Sequence, residues 1–374
     1  MTQTVIQIRD SYQEILDYLA HHKLHRIFLV CDQAYRFLKI SRWLEAMEAA
    51  SELSLVRFDH FQPNPSYESV VEGVRAFHAS NSQAIWAIGG GSAMDVAKCI
   101  KLYAQMDPQE SYLKQRIVPN SIPLMAMPTT AGTGSEATRY AVIYDKGVKQ
   151  SVSDLSCIPS LAILDPSTLQ TLPLYQKKST MLDALCHAVE SFWSVHATEE
   201  SQAYSRAALR QIRKYAASYF KNEEEGNAGM LLAANVAGKA INLTQTTAGH
   251  AMCYKLTSLY GIAHGHAAAL CVNALWPWML EHTARCIDPR GAGYLKQTMQ
   301  QLAEAVSCTT PQEAADWFRL FLRELDMPVP AASPDELPVL CQAVNPTRLA
   351  NHPVAMDTET IDRLYRQILS VTEA

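Results

Sequence analysis

Short apolar runs and amphipathic stretches alternate along the first half of the chain. His25–Cys31 (HRIFLVC) is largely apolar and meets Asp32 at its end, as a strand buried on both faces would. Ala84–Ile88 (AIWAI) and Pro123–Met127 (PLMAM) are two more such runs. Between them, Tyr67–His78 and Met94–Ala104 carry apolar residues at helical spacing. This alternation predicts a parallel sheet with helices on both faces. After about Pro173 the strand signal stops. Helices are expected at Ser179–Val195, Glu200–Tyr219, Met230–Ala248, Ala267–His282, Tyr294–Val306, Pro311–Leu325, Asp335–Val344 and Thr358–Leu369. The expected organisation is an α/β domain over residues 1–173 followed by an all-helical domain over 174–374.

Composition narrows the class. A chain of 374 residues is long for one core, which favours two domains. With 48% hydrophobic and 18% charged residues it is a well-buried globular chain, not a disordered one. The net charge of -5, with no basic tract, argues against nucleic-acid binding. A local pocket of cations for an anionic ligand remains compatible with it. Arg9 and Asp10 stand where a secretory leader would be apolar, and the longest apolar run, His266–Leu280, is broken by Asn273 and Pro277. The nine cysteines are scattered singly, without CxxC, and read as reduced thiols of a cytoplasmic protein rather than a structural zinc site.

Two segments have the character of a cofactor cradle. Gly89-Gly90-Gly91-Ser92 follows the AIWAI run and opens a helix, with Ser92 and Asp95 spaced as a capping box. Glycines let a backbone approach a phosphate, and a helix N-terminus offers free N–H groups with partial positive charge, so a pyrophosphate suits this loop; an ordinary strand-to-helix turn is the alternative. The loop lacks both the GK[ST] of a P-loop and the GxGxxG spacing of the common dinucleotide fold. The second segment is Pro128–Glu136, whose Thr129, Thr130 and Thr133 follow the PLMAM run at the end where open α/β sheets hold cofactors. Asp32, at the end of another strand, suits a ribose diol and favours NAD over NADP; a turn or cap role is the alternative.

A metal constellation follows. Asp183 and His187 stand at i and i+4 in STMLDALCHAVESFW, on one helix face. His250 and His264 add two imidazoles, making a mixed N/O set for a borderline divalent ion such as Fe²⁺, Zn²⁺ or Mn²⁺. His266, two residues beyond His264, is a rival ligand or a pocket residue.

GGGSAMDVAK (Gly89–Lys98), PTTAGTGSE (Pro128–Glu136), DALCHAVE (Asp183–Glu190) and the His250–His264-Gly265 spacing occur in that order. Together they resemble the iron-containing, or group III, alcohol dehydrogenases, whose fold is also that of dehydroquinate synthase. The resemblance implies a dinucleotide-binding domain, a helical metal-binding domain and a cleft between them. It implies Asp183, His187, His250 and His264 as ligands of Fe²⁺ or Zn²⁺, and NAD or NADP as hydride carrier. It further implies pyrophosphate at Gly90, Gly91 and Ser92, and ribose at Asp32. The nicotinamide half would lie at Thr129, Thr133 and Thr138, with Lys149 and Asn64 near the cofactor. Such a site reduces aldehydes or oxidises alcohols, and the family often forms dimers or larger assemblies. A dehydroquinate synthase-like lyase is the remote alternative; DALCHAVE fits the dehydrogenase branch.

One departure stands out. Many relatives carry another histidine four residues after the third ligand, where this chain has Tyr254. Tyr254 then donates a hydrogen bond in its place, or the proton passes through water and the ribose hydroxyls; His266 is the other catalytic candidate. For the substrate, AGHAMCYKLTSLYGIAHGHA and NPTRLANHPV resemble phosphonoacetaldehyde reductases, with Arg139, Lys255 and Arg348 as candidate donors to a phosphonate. A neutral short-chain aldehyde or diol is the alternative.

Overall fold

The computed structural model describes residues 3–344 and 346–371. The chain divides into two compact units. One runs to Pro173 and includes Lys221–Leu231; the other comprises Leu174–Phe220 and the chain from Leu232 onward.

The first unit is built on a parallel sheet of β1 (Thr4–Gln7), β2 (Arg26–Cys31), β3 (Ser54–Phe58), β4 (Ala84–Gly89), β5 (Leu124–Pro128) and β8 (Leu161–Leu164). Its spatial order is β1-β8-β5-β4-β2-β3. The chain runs outward one way from β2 to β3, then returns past β2 and builds the other way from β4. The order therefore reverses between β2 and β4, and at such a switch point two loops diverge and leave a crevice. Helices α1 (Gln13–His21) and α2 (Lys39–Ala49) contribute to a core on one face with Ile27, Leu29 and Trp86. Helices α3 (Tyr67–Ser80) and α4 (Gly91–Tyr103) contribute to a core on the other with Phe28, Val30 and Ile85. The alternation of neighbouring strand residues between the two cores is the period of two of an extended chain. An antiparallel hairpin, β6 (Tyr140–Asp145) with β7 (Val148–Ser153), leaves this sheet. Its turn residues Lys146 and Gly147 both have positive φ, the requirement of a tight primed turn.

The second unit contains α5 (Leu174–Trp193), α6 (Glu199–Phe220), the greater part of α7 (Glu224–Thr244), α8 (Ala248–Tyr260), α9 (His264–Glu281), α10 (Gly291–Ala305), α11 (Pro311–Glu324), α12 (Glu336–Gln342), α13 (Pro346–Ala350) and α14 (Thr358–Ile368). Three expectations are corrected here. The unit is not wholly helical, since β9 (Ala331–Ala332) pairs with β10 (Ser370–Val371). Met230–Ala248 is not one helix: α7 ends at Thr244, Gln245 turns left-handed at φ 61°, and α8 starts afresh at Ala248. Ser92 is not an N-cap, because Gly90 holds that position in α4 and no side chain caps it. No helix among the described residues is long and apolar enough to cross a membrane.

Candidate active site

Helix α5 is buried along most of its last three turns, and Asp183 and His187 lie one turn apart on it. Two further helices bring imidazoles to that face. His250 lies in the first turn of α8, and His264 is the first residue of α9. The Nε2 atoms of His250, His187 and His264 lie 3.4, 3.8 and 3.9 Å from the same carboxylate oxygen, Oδ1 of Asp183. The tightest subset is Asp183, His187 and His250, with ligand atoms within 4.8 Å of one another. His187 and His250 stack at 4.7 Å, while His264 meets His250 at 60° and is partly exposed at 38%.

Close approach of the helices depends on small residues at the ligand positions. A Cβ on Gly265 would stand 2.1 Å from the Ser179 carbonyl oxygen and 2.6 Å from Asp183 Cβ. A Cβ on Gly249 would stand 2.7 Å from a Val272 methyl and 3.1 Å from the Glu190 carboxyl. His250 and His264 thus each have a glycine beside them where their helices touch a neighbour, whereas His187 is flanked by Cys186 and Ala188.

The electrostatics are those of a cation site. Burial would raise the Asp183 carboxyl, but the neighbouring imidazoles, His187 foremost, hold it well below the usual carboxylate range. An anionic oxygen surrounded by three imidazole nitrogens fits a divalent ion of borderline softness.

Glu190 escaped the sequence reading. It is wholly buried on α5, and its Oε2 meets Nδ1 of His250. Its Oε1 accepts hydrogen bonds from the Thr247 hydroxyl and the N–H groups of Thr247 and Gly249 (3.1 and 2.9 Å), with a longer one from His250 N–H. A glutamate in a long helix ordinarily faces water, so no pattern signalled it; only its place inside the DALCHAVE motif singled it out.

In the first unit, the glycine loop leaves β4 at the switch point. A Cβ on Gly89 would stand 2.6 Å from Ala93 Cβ and 3.2 Å from Asp32 Oδ2, which places the end of β2 against the glycine turn. Cβ atoms on Gly90 and Gly91 would meet the methyls of Thr130 and Thr133 at 3.6 and 3.2 Å. Thr129 N–H bonds to Gly89 O at 3.0 Å. The two loops and Asp32 therefore form one cradle around the N-terminus of α4, which fits a dinucleotide pyrophosphate. Asp32 also uses Oδ1 to cap Ala34 N–H at 2.9 Å.

Other sequence candidates are placed differently. The Thr138 hydroxyl is buried and accepts from Lys98 Nζ at 3.1 Å. Lys98, also buried, donates in addition to Ser135 Oγ (2.9 Å) and Tyr140 O (2.8 Å), tying the second loop to α4. Asp95 accepts from Ser135 Oγ at 3.4 Å and from Val142 N–H, and burial pushes its carboxyl up to about 7 against the charges of Lys98 and Lys149. Its work is to join α4 to the hairpin, not to cap. Asn64 is exposed, with φ 59°. His266 is buried with Nδ1 on the Tyr175 hydroxyl at 3.2 Å, apart from the three imidazoles gathered at Asp183. Tyr254 stacks on His264 at 5.4 Å, and the Arg348 charge acts on its buried hydroxyl. Arg348 also donates to Gln245 Oε1 at 3.3 Å. Lys255 follows Tyr254 on α8, half-buried; Arg139 stands over the Tyr140 ring in the first unit.

Comparison with known proteins agrees with this geometry. Residues 2–166 match the model for iron-containing alcohol dehydrogenase, and residues 177–369 match that for the C-terminal part of the Fe-containing alcohol dehydrogenase family. The chain belongs to the iron-containing alcohol dehydrogenases, oxidoreductases acting on alcohols and aldehydes with NAD(H) and a divalent metal. It is 31% identical to a phosphonoacetaldehyde reductase of Streptomyces viridochromogenes over 79% of both chains. It is 30% identical to a 1-propanol dehydrogenase of Salmonella typhimurium over 67% of this chain and 65% of that one. Among solved structures it resembles a sulfoacetaldehyde reductase from Bifidobacterium kashiwanohense in complex with NAD⁺. The TM-score is 0.87 at 25% identity, covering 98% of this chain and 97% of the other.

Proposed function

We propose that this enzyme uses NADH to reduce a short aldehyde bearing a tetrahedral anionic head group, with phosphonoacetaldehyde, giving 2-hydroxyethylphosphonate, as the leading substrate. The observation that carries this reading is Arg348, whose charge acts on Tyr254, the residue stacked on His264. A guanidinium offers several donors in a fixed plane, which suits a phosphonate or sulfonate. Two of the proteins it resembles are named for such substrates, a phosphonoacetaldehyde and a sulfoacetaldehyde. Asp32 beside the glycine turn favours NADH, since a carboxylate there opposes a 2′-phosphate. Nine free cysteines suit work in the cytoplasm.

When bound, the divalent metal supplies Lewis-acid polarisation of the substrate oxygen and the nicotinamide supplies hydride. The chain provides the rest. Asp183, His187, His250 and His264 hold the ion, and Gly90, Gly91, Ser92, Thr129, Thr130 and Thr133 hold the dinucleotide. Burial keeps the Tyr254 hydroxyl protonated far above neutral pH, so it acts as a hydrogen-bond donor beside His264. It takes the place of the histidine relay, and Arg348 anchors the substrate's far end.

The second reading is reduction of a neutral aldehyde. It draws on the likeness to a 1-propanol dehydrogenase and on the bond that engages Arg348 with Gln245. The test is NADH and NADPH oxidation by metal-stripped and metal-reloaded enzyme, with phosphonoacetaldehyde and propanal side by side. Metal-dependent turnover strongly favouring the phosphonate and NADH is expected. Arg348→Ala should then raise KM for the phosphonate about 10- to 100-fold, the scale of a lost charged hydrogen bond, and leave propanal kinetics unchanged. Equal rates on both aldehydes would sink the anion pocket and favour the neutral substrate.

A further inference from the structure

Glu190 joins two structural problems of the metal site that are normally solved separately. The first is backbone placement. Helix α8 begins at Ala248 after Thr247, whose side chain makes no cap bond to its own helix. The first N–H groups of a helix lack intrahelical partners, and here they are buried. Oε1 of Glu190 reaches across from α5 and accepts from Thr247 and Gly249 N–H and from the Thr247 hydroxyl, doing from another helix what an N-cap does locally. The Thr247 hydroxyl in turn accepts from Trp193 Nε1 at 3.0 Å, so the assembly is tied back to α5 twice. The second problem is the ring. Nδ1 of His250 meets Oε2 of the same carboxylate, while its Nε2 points at Asp183 Oδ1.

A neutral imidazole carries one proton, and a carboxylate at Nδ1 keeps it there, leaving the Nε2 lone pair for the ion. We propose that Glu190 is a positioning residue for the metal: one oxygen sets the backbone of the α8 N-terminus, and the other fixes the tautomer and orientation of His250. It touches neither substrate nor nicotinamide in this account and acts only through His250. The inference rests on Asp183, His187, His250 and His264 being the metal ligands.

Glu190→Gln separates the two tasks. The Thr247 hydroxyl and the N–H groups of Thr247, Gly249 and His250 all converge on Oε1, so the amide oxygen must stay there and the NH₂ must face His250 Nδ1. Two donors then oppose each other whenever Nε2 binds a metal. The helix start keeps its acceptor and the ligand loses its own. Thr247→Val is the complementary control, removing one bond to Oε1 and none to the ring.

The experiment measures Zn²⁺ affinity by competition with a chelator, and the visible spectrum of the Co²⁺-loaded proteins. For Glu190→Gln we expect retained far-UV circular dichroism, metal binding weakened about 10- to 100-fold and an altered Co²⁺ spectrum. Thr247→Val should bind within about 3-fold of the parent with an unchanged spectrum. Parental affinity and spectrum in folded Glu190→Gln would overturn the proposal, as would equal losses in both variants. If Glu190→Gln does not fold, the Zn²⁺-loaded parent decides. It should show a strongly downfield, exchange-protected imidazole N–H proton resonance that disappears in His250→Ala, and its absence would overturn the proposal. Failure of the parent to bind any metal would instead remove the ligand assignment on which the proposal stands.

Discussion

Two imidazoles buried equally deeply in the helical unit have opposite proton affinities, and the difference lies in where a carboxylate stands. His250 has Glu190 at Nδ1 and Asp183 beyond Nε2; burial disfavours its charge, but the two anions more than compensate and raise it to about 9. His352 is also wholly buried, edge-on to Trp193, and neither ring nitrogen has a hydrogen-bond partner among the described residues. Burial pushes it down to about 4, and the more distant Glu190 offsets only part of this. The consequence for stability has a definite sign. Between about 6.5 and 4 the unfolded chain binds a proton at His352 that the folded chain refuses, so stability falls as pH falls through that window and is unaffected above it. The size is about 3 kcal/mol across the window. Urea melts of the metal-free protein and of His352→Phe at pH 7 and pH 4 should show this difference closing by about that amount in the variant. Parallel losses in both proteins would show that His352 takes up its proton while folded.

At the scale of elements, the site depends on how closely α9 can approach α5. A methyl on Gly265 would fall on the Ser179 carbonyl, which is backbone and cannot rotate aside, and on Asp183 itself. Gly265→Ala should therefore push α9 off α5, cost about 1–3 kcal/mol and lower metal content. Parental thermal stability with stoichiometric metal, read by calorimetry and elemental analysis, would refute this. Burial pattern, by contrast, decides which elements were legible in the chain. β2, β4 and β5 are buried on both faces and read as continuous apolar runs, and α5, α6 and α9–α11 repeat at helical spacing. β1 (TVIQ) and β3 (SLVRF) are edge strands with mixed exposure, and β8 (LAIL) is only four residues long, so none stood out. The break between α7 and α8 lies in the left-handed backbone of Gln245, while the helical pattern of side chains runs on through it. For the same reason the expected helix Met230–Ala248 ran into the start of α8, in whose first turn His250 stands. Asp183, His187, His250 and His264 could be singled out as metal-ligand candidates because their motifs are local. Glu190 and Lys98 were not, because what marks them is the set of partners brought by other elements.

At the scale of the whole molecule, the residues proposed for the metal and for the dinucleotide lie in separate units. Asp183, His187, His250 and His264 all belong to the second, whereas Asp32, the glycine loop and the threonine loop belong to the first. A ligand that binds only the native state stabilises what it touches by an amount set by its concentration over its Kd, about 2.7 kcal/mol at 100-fold. Hydrogen exchange reads such stabilisation segment by segment, because local openings have their own free energies. Adding Zn²⁺ to the stripped protein should slow exchange in Thr180–Val189, Thr247–Cys253 and His264–Leu270, the stretches that carry the imidazoles and the N-termini of α8 and α9. The glycine loop and the strands β2 and β4 should be unchanged. NAD⁺ added to the stripped protein should do the reverse, protecting Gly89–Met94 and Thr129–Thr133. The contrast matters more than either result alone. Protection by Zn²⁺ spread evenly over both units would mean that they open as one cooperative body, and that the metal stabilises the nucleotide cradle as much as its own site. Protection confined to each ligand's own unit would mean that metal loading and dinucleotide binding are energetically independent until substrate is present.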